Sequence, residues 1–203
     1  MENWFCIWEI SDNPYRFSYM ECIPIDPTKE INDINYQVDR TKLTDELKRK
    51  QSKFLDLKHR CIRMAENLNE NLRSFLSQYS DINNLNEKDM LYKLDFMNLR
   101  DRFSKIVKGD QQFRHIDLLN SNPNRKNLTK TFTEFIEDRN IYTHGHLHIR
   151  LNDSLILITY VDKKLNKHAC CIVDGEIIQS FFDTYKTLNE TVSKMMQHQT
   201  LIK

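Results

Sequence analysis

The feature that most constrains the fold is a stretch from Thr41 to about Tyr79 that contains no glycine or proline. Its apolar side chains recur mostly at alternating spacings of four and three residues, as on one face of an α-helix. This apolar face consists of Phe54, Cys61, Ala65, Leu68, Leu72, Phe75 and Tyr79. Charged residues fill the other positions, so the segment predicts a long helix packed against another helix. At ~1.5 Å per residue, such a helix would extend on the order of 55 Å.

The rest of the chain predicts a mainly α-helical protein with a β-hairpin before its last helix. Periodic apolar residues and helix-ending signals predict helices over residues 87–107, 111–120, 128–144 and 180–197. Two runs rich in β-branched residues, "SLILITYVD" and "HACCIVDGEII", flank the polar "KKLNK" and predict a hairpin at about 154–178. We expect Asn127 to cap the start of the helix over 128–144, and Gly145 to follow it as a left-handed residue.

The first 40 residues differ in composition from the helical part. They are rich in aromatic residues and contain Pro14, Pro24 and Pro27, which favours short strands separated by turns. We therefore expect an N-terminal extension over residues 1–40 and a helical domain over residues 41–203. The strands of the extension could form a small sheet with the hairpin.

Composition narrows the classes of function. The formal net charge is +1, so a nucleic-acid surface would have to be a local patch. No run approaches the roughly 18 apolar residues of a membrane span, and the acidic residue at position 2 does not fit a signal peptide. The five cysteines form no C-x-x-C pair, which predicts reduced thiols and a cytoplasmic location.

The densest group of reactive side chains lies in "FIEDRNIYTHGHLHIR", residues 135–150. On a helix, an apolar stripe formed by Leu128, Phe132, Phe135 and Ile136 continues through Arg139. A guanidinium there needs an anion, because burying an unpaired charge is costly. Asn140 and His144 are four positions apart and share a neighbouring face. Two interpretations stay open: a phosphate-binding helix end, or an Arg–carboxylate pair beside a histidine that only caps the helix.

The alternating histidines in the same stretch also raise the possibility of a zinc site. "THGHLH" resembles the metal-binding loop of metallo-β-lactamase-like hydrolases. However, that loop continues with Asp and His where this chain has His148 and Ile149. His144 and His146 with a distant carboxylate could still bind zinc, because imidazole suits this ion. The simpler interpretation is that His146 and His148 are half-exposed strand residues, and we expect neither a metal nor another cofactor.

The segment Arg139-Asn140-x-x-x-His144-Gly145, at the end of a helix that precedes a hairpin and a last helix, resembles the R-N-x-x-x-H motif of the HEPN superfamily. The name denotes the higher eukaryotes and prokaryotes nucleotide-binding helical domain. The resemblance implies a HEPN-like helical bundle, a homodimer joined through the motif-bearing helix, and a metal-independent endoribonuclease. Such enzymes are frequently toxins or effectors of microbial or phage defence, held in check by an antitoxin or regulatory protein. A non-catalytic dimerisation module is the alternative within the same superfamily.

The resemblance also assigns a role to each motif residue. His144 would act as acid and base while the RNA 2′-hydroxyl attacks the adjacent phosphate, and Arg139 would neutralise the resulting oxyanion. Asn140 would orient His144 or bind the opposite subunit. The products would carry 2′,3′-cyclic phosphate and 5′-hydroxyl ends. In HEPN toxins modified by a nucleotidyltransferase, a tyrosine follows the motif histidine by two residues. This chain has His146 there, so such modification is not expected.

An RNA-cleaving site also needs a cationic surface for the phosphate backbone. Arg125, Lys126 and Lys130 lie on the same helix as Arg139, so we predict that they bind RNA. A second basic cluster, formed by Lys48, Arg49, Lys50 and Lys53, lies on the long helix. Glu46 and Asp56 lie on either side of it, and a solvated helix face is the simpler interpretation.

Overall fold

The computed structural model describes residues 4–6, 9–10, 17–18, 22–24, 45–150, 155–162 and 167–201. These residues are mainly helical, with a small three-stranded antiparallel sheet, which confirms the predicted fold class at this level. The chain divides into two compact units. We call residues 1–59 and 141–178 the first unit, and residues 60–140 and 179–203 the second unit.

The longer elements follow the sequence predictions, with several shifts of boundary. The helices are α1 (Asp45–Ile82), α2 (Lys88–Leu91), α3 (Phe96–Gly109), α4 (Asn122–His144) and α5 (Gly175–Leu201). The strands are β1 (Trp4–Cys6), β2 (Glu9–Ile10), β3 (Phe17–Ser18), β4 (Cys22–Pro24), β5 (His146–Arg150), β6 (Leu155–Asp162) and β7 (Lys167–Ile172). Within the described residues, no helix is long and apolar enough to cross a membrane.

The core of the second unit is built from the apolar faces of its helices. The predicted face of α1 is buried at Leu68, Leu72 and Phe75, as its spacing requires. Aromatic side chains from α1, α3 and α4 fill the centre: the ring of Phe103 lies 5.8 Å from Phe75 and 5.4 Å from Phe132. These edge-on and tilted contacts are the favoured arrangement of aromatic pairs.

The predicted helix over residues 87–107 is wrong as a single element. It is two helices, because Asp95 interrupts the pattern: its backbone is extended, and its carboxylate accepts a hydrogen bond from the Asn98 backbone N–H at 2.8 Å. Aspartate is a strong N-cap for this reason, so α3 begins at the following residue. The predicted helix over 111–120 is also wrong, since these residues form turns and one 3-10 turn, Asp117–Leu119.

The helix α4 starts earlier than predicted, so Asn127 is an interior residue and not the N-cap. The Ser121 hydroxyl oxygen accepts a hydrogen bond from the Asn124 backbone N–H at 3.3 Å, which is the bond of an N-cap. Pro123 lies in the first turn, where a missing backbone N–H costs nothing. The apolar stripe of α4 is buried in the second unit at Leu128, Phe132, Phe135 and Ile136, as predicted.

In the first unit, the predicted hairpin is part of a larger sheet. Strands β6 and β7 pair as expected, and β5 adds a third antiparallel strand on the other side of β6, with His146 opposite Thr159. Ile156 and Ile158 of β6 are buried two positions apart, as the period of a strand requires. The turn residues 163–166 lie outside the described residues.

The second hairpin run ends as a strand sooner than predicted, because α5 begins at Gly175. The Asp174 carboxylate accepts a hydrogen bond from the Ile177 backbone N–H at 2.9 Å, which caps this helix. In the N-terminal extension, β1 pairs with β4 and β2 with β3. Strand β4 comes close to β7 without joining its sheet. The predicted helix start, residues 41–44, lies outside the described residues.

Candidate functional site

The last turns of α4 carry the predicted motif, and the boundary between the two units falls between Asn140 and Ile141. In the second unit, Arg139 continues the buried stripe and is itself half-buried, while Asn140 is exposed. The Arg139 Nη1 donates to the Asn140 side-chain oxygen at 3.2 Å. This bond leaves the amide nitrogen of Asn140 on the surface of the helix and ties the carbonyl oxygen to the guanidinium. A carbonyl engaged in this way is less available to orient His144, the role the resemblance implies.

In the first unit, His144 is the last residue of α4 and its side chain is exposed. A cation there interacts favourably with the negative end of the helix dipole. Gly145 follows and is buried, and its backbone N–H donates to the Ile141 carbonyl at 2.8 Å. An exposed imidazole on a fixed helix end can reach a phosphate without moving the backbone.

Gly145 was predicted to be a left-handed residue, and this is wrong because no glycine of the described residues has a positive φ. A glycine is needed here because there is no room for a side chain. A Cβ on Gly145 would lie 2.1 Å from Cγ2 of Ile158 and 2.6 Å from the carbonyl oxygen of Ile141. The end of α4 thus lies directly against β6, where only a hydrogen atom fits.

Lys58 of α1 reaches the same place and was not predicted from the sequence. Its Nζ donates to the Gly145 carbonyl oxygen at 2.9 Å, next in sequence to His144. Burial lowers the pKa of the Lys58 ammonium, because the charged form is less well solvated there. The only sequence signal is its place beside the apolar face of α1, between Phe54 and Cys61, where a lysine can lie at the edge of a core.

The three cations predicted to bind RNA on α4 do not share one environment. Arg125 is 8% exposed, and its Nη1 donates to the Leu119 carbonyl oxygen at 2.7 Å. This geometry fits a structural residue, so the expectation that Arg125 contacts RNA is not supported by its position. Lys126 and Lys130 are exposed, and Lys130 lies 3.8 Å from the Glu134 carboxylate, which offsets part of its charge.

The other reactive side chains of the motif region have defined surroundings. Tyr142 is 4% exposed and belongs to the core of the first unit, so it does not serve as a platform for base stacking. His146 is exposed on β5. Among the residues whose side chains the structure describes, no group of three His, Cys, Asp or Glu could hold a metal. The side chains of His148 and His168 lie outside that set.

Two further groups bear on possible chemistry in the second unit. Cys61 is fully buried, and burial raises the pKa of its thiol to about 12, which removes it as a nucleophile. An open cleft of about 590 Å³ is lined by Tyr79, Lys105, Ile106, Gly109, Asp110 and Gln111. The Asp110 carboxylate there accepts from the Tyr79 hydroxyl at 3.0 Å and from the Gln112 backbone N–H at 3.0 Å. A carboxylate engaged in this way closes the end of α3.

No family model, no curated protein and no solved structure matches this chain. Its function is therefore inferred from its own residues and their geometry.

Proposed function

We propose that this chain is a HEPN-type endoribonuclease that cuts RNA by attack of the 2′-hydroxyl on the adjacent phosphate. One observation carries the proposal: α4 is a continuous helix that bears a half-buried Arg139 at the end of its apolar stripe and an exposed His144 in its last turn. Arginine binds oxyanions through a planar fork of donors, and histidine moves protons near neutral pH. Residues of these two types in the last turns of one helix suit phosphoryl transfer.

The reaction requires the transfer of two protons and the stabilisation of one developing negative charge. The 2′-oxygen bonds to phosphorus as it loses its proton, and the bond from phosphorus to the 5′-oxygen breaks as that oxygen gains one. His144 of one subunit takes the first proton, and His144 of a second copy supplies the other. Arg139 stabilises the additional negative charge on the phosphorane. The products carry 2′,3′-cyclic phosphate and 5′-hydroxyl ends, and no step needs a metal.

A homodimer is part of this proposal, because one subunit supplies only one motif histidine. In a dimer formed through α4, each motif would provide an acid or a base, and both Arg139 side chains would be available to the same phosphate. A ribonuclease of this kind needs control in its host. We therefore propose a role as a toxin or effector in microbial or phage defence, restrained by an antitoxin or regulatory partner.

The proposal is tested by incubating a mixed RNA pool in excess EDTA with the wild type, with His144→Ala and with His146→Ala. His146 is a matched control, because it is also exposed and lies two positions beyond His144. We expect the wild type and His146→Ala to cut RNA and leave cyclic phosphate ends. Loss of one acid–base group lowers the rate by about 10²- to 10⁴-fold, and we expect this of His144→Ala.

Other outcomes separate the remaining interpretations. A folded dimer that cuts no RNA supports a non-catalytic dimerisation module. Activity that EDTA abolishes, together with bound zinc, supports a zinc hydrolase built on His144 and His146. Equal cutting by all three proteins shows that the activity belongs to a contaminant or to another part of the chain.

The dimer is tested separately by mixing wild-type protein with an excess of His144→Ala. A mixed dimer contains only one His144, so it lacks either the acid or the base. After subunit exchange we expect cleavage to fall as mixed dimers replace wild-type dimers, and light scattering to report twice the mass of one chain. A monomer that cuts RNA at full rate would exclude the shared site.

A further inference from the structure

The first part of α1 is more basic than the chain as a whole. Over residues 45–59 it carries five Lys or Arg residues and three acidic residues, whereas the whole chain has 30 basic and 29 acidic residues. Lys48, Arg49, Lys50 and Lys53 are all exposed. Lys48 lies 3.6 Å from Asp45, an exposed pair that offsets little of this charge. Within positions 48–53 there are four cations and no acidic residue, so the signs do not alternate there as on an ordinary solvated helix face.

The same part of α1 belongs to the unit that contains His144. Lys58, some five residues beyond the exposed basic residues, donates from its Nζ to the Gly145 carbonyl oxygen at 2.9 Å. At ~1.5 Å per residue, Arg49 to Lys58 spans on the order of 14 Å along the helix, about two to three nucleotides of extended RNA. Along the helix axis, the basic segment of α1 therefore lies close to the residue that follows His144, although Arg49 is about 180° around the helix from Lys58.

We infer that the exposed basic residues of α1 between Lys48 and Lys53 form a surface that binds the phosphates of single-stranded RNA near His144. The inference rests on the proposed function for its substrate. It replaces the sequence-based assignment to the cations of α4, one of which, Arg125, is buried. Lys58 holds α1 at the end of α4 and so fixes the distance between this surface and His144.

A nucleic acid suits this surface better than a membrane does. Helices that lie on membranes carry exposed large apolar side chains beside their cations. In α1 the apolar face turns inward at Phe54, which is 3% exposed, and the exposed large apolar side chains among the described residues lie on other elements. A cluster of cations beside which the structure describes no exposed large apolar side chain fits the charged backbone of a nucleic acid.

The test uses the full chain carrying His144→Ala, so that RNA binding is measured without cleavage. Two double substitutions are made separately in this background. The α1 pair is Arg49→Gln with Lys53→Gln, and the α4 pair is Lys126→Gln with Lys130→Gln. Both pairs are exposed, four positions apart on a helix and lose two charges, and glutamine keeps the helix propensity. Affinity for a fluorescent single-stranded RNA is measured by anisotropy from about 0.05 to 0.3 M salt. Circular dichroism melts confirm that both variants remain folded.

We expect the α1 pair to weaken binding by roughly 25-fold at 0.1 M salt and to lower the salt slope by about 1.4, since each phosphate contact contributes about 0.7 to the slope. The α4 pair should bind as the parent does. The inference would be overturned if both pairs lost RNA affinity equally, or if only the α4 pair lost it. It would also be overturned if poly-glutamate competed for the protein as effectively as unlabelled RNA. If the α1 pair loses affinity while wild-type protein cuts no RNA, the surface stands and the proposed cleavage fails.

Discussion

Replacing Gly145 by alanine tests whether the end of α4 lies against the sheet as described. The added methyl group would meet Cγ2 of Ile158 at 2.1 Å and the Ile141 carbonyl oxygen at 2.6 Å. Both distances are far below van der Waals contact, and one neighbour is backbone that cannot turn away. The helix end or β6 must therefore shift. Overpacking of this kind costs about 1–3 kcal/mol.

Gly109 provides the matched control, because it also ends a helix and has no positive φ. A Cβ on Gly109 would meet nothing within 4 Å. Alanine there lowers the entropy of the unfolded chain and should stabilise the protein by about 0.4–1 kcal/mol. The same substitution is thus predicted to have opposite signs at two helix ends, which separates a local clash from a general effect of alanine.

The assay is thermal and urea unfolding of the wild type and both variants. For a chain of this size about 1 kcal/mol shifts Tm by roughly 2–4 °C, so Gly145→Ala should lower Tm by about 2–12 °C. Adding Ile158→Ala to Gly145→Ala removes the clashing methyl group, and the cycle should show favourable coupling of about 0.5–3 kcal/mol. Equal or higher stability of Gly145→Ala relative to Gly109→Ala would refute the close approach of α4 and β6.

Three further predictions concern the second unit. Cys61 should resist iodoacetamide at pH 8 until the protein unfolds, because burial raises the pKa of its thiol to about 12. Alkylation is followed by peptide mass spectrometry. Alkylation of Cys61 in the folded protein would contradict its burial. Tyr79→Phe should cost about 0.5–1.5 kcal/mol in urea melts. Burial and Asp110 raise the pKa of the Tyr79 hydroxyl from 10.0 to about 12. The free energy that this hydroxyl contributes to folding should therefore be constant below pH 10 and fall as the pH rises toward 12. If Tyr79→Phe destabilises the protein equally at pH 8 and pH 11.5, this prediction is wrong. Arg125→Ala should cost about 1–3 kcal/mol, because the Leu119 carbonyl loses a charged donor, and should leave RNA affinity in low salt unchanged.

The helices could be predicted because their signals are local. The spacing of the apolar residues in α1 and α4 fixes which faces are buried, and both faces are found as predicted. The ends were less predictable, since they depend on single capping residues. Asp95 and Ser121 each accept a backbone N–H, and each moves a helix boundary that apolar spacing alone puts elsewhere.

The sheet shows where local patterns stop being informative. The pairing of β6 with β7 follows from two adjacent β-branched runs, whereas β5 is a run of alternating histidines whose partner is set by tertiary structure. The role of Gly145 was likewise hidden. A glycine after a helix usually adopts a positive φ. Only the position of Ile158 shows that Gly145 is needed because a Cβ atom would not fit there.

The candidate site was predictable in composition but not in surroundings. Arg139 and His144 could be selected from residue type and helical position. Burial of Arg125 and the bond from Lys58 to Gly145 depend on residues that are 6 and 87 positions apart in sequence. Contacts of this kind have no periodic signature, so the spacing of residues along the chain does not reveal them.

The proposed cleavage depends on attack by the 2′-hydroxyl of RNA itself, promoted by His144. The most direct measurement is cleavage in EDTA of one RNA and of its 2′-O-methyl copy, by the wild type and by His144→Ala. We expect product, with a cyclic phosphate end, only when wild-type protein meets the unmodified RNA. Cleavage of the 2′-O-methyl copy, or an undiminished rate with His144→Ala, would contradict the claim.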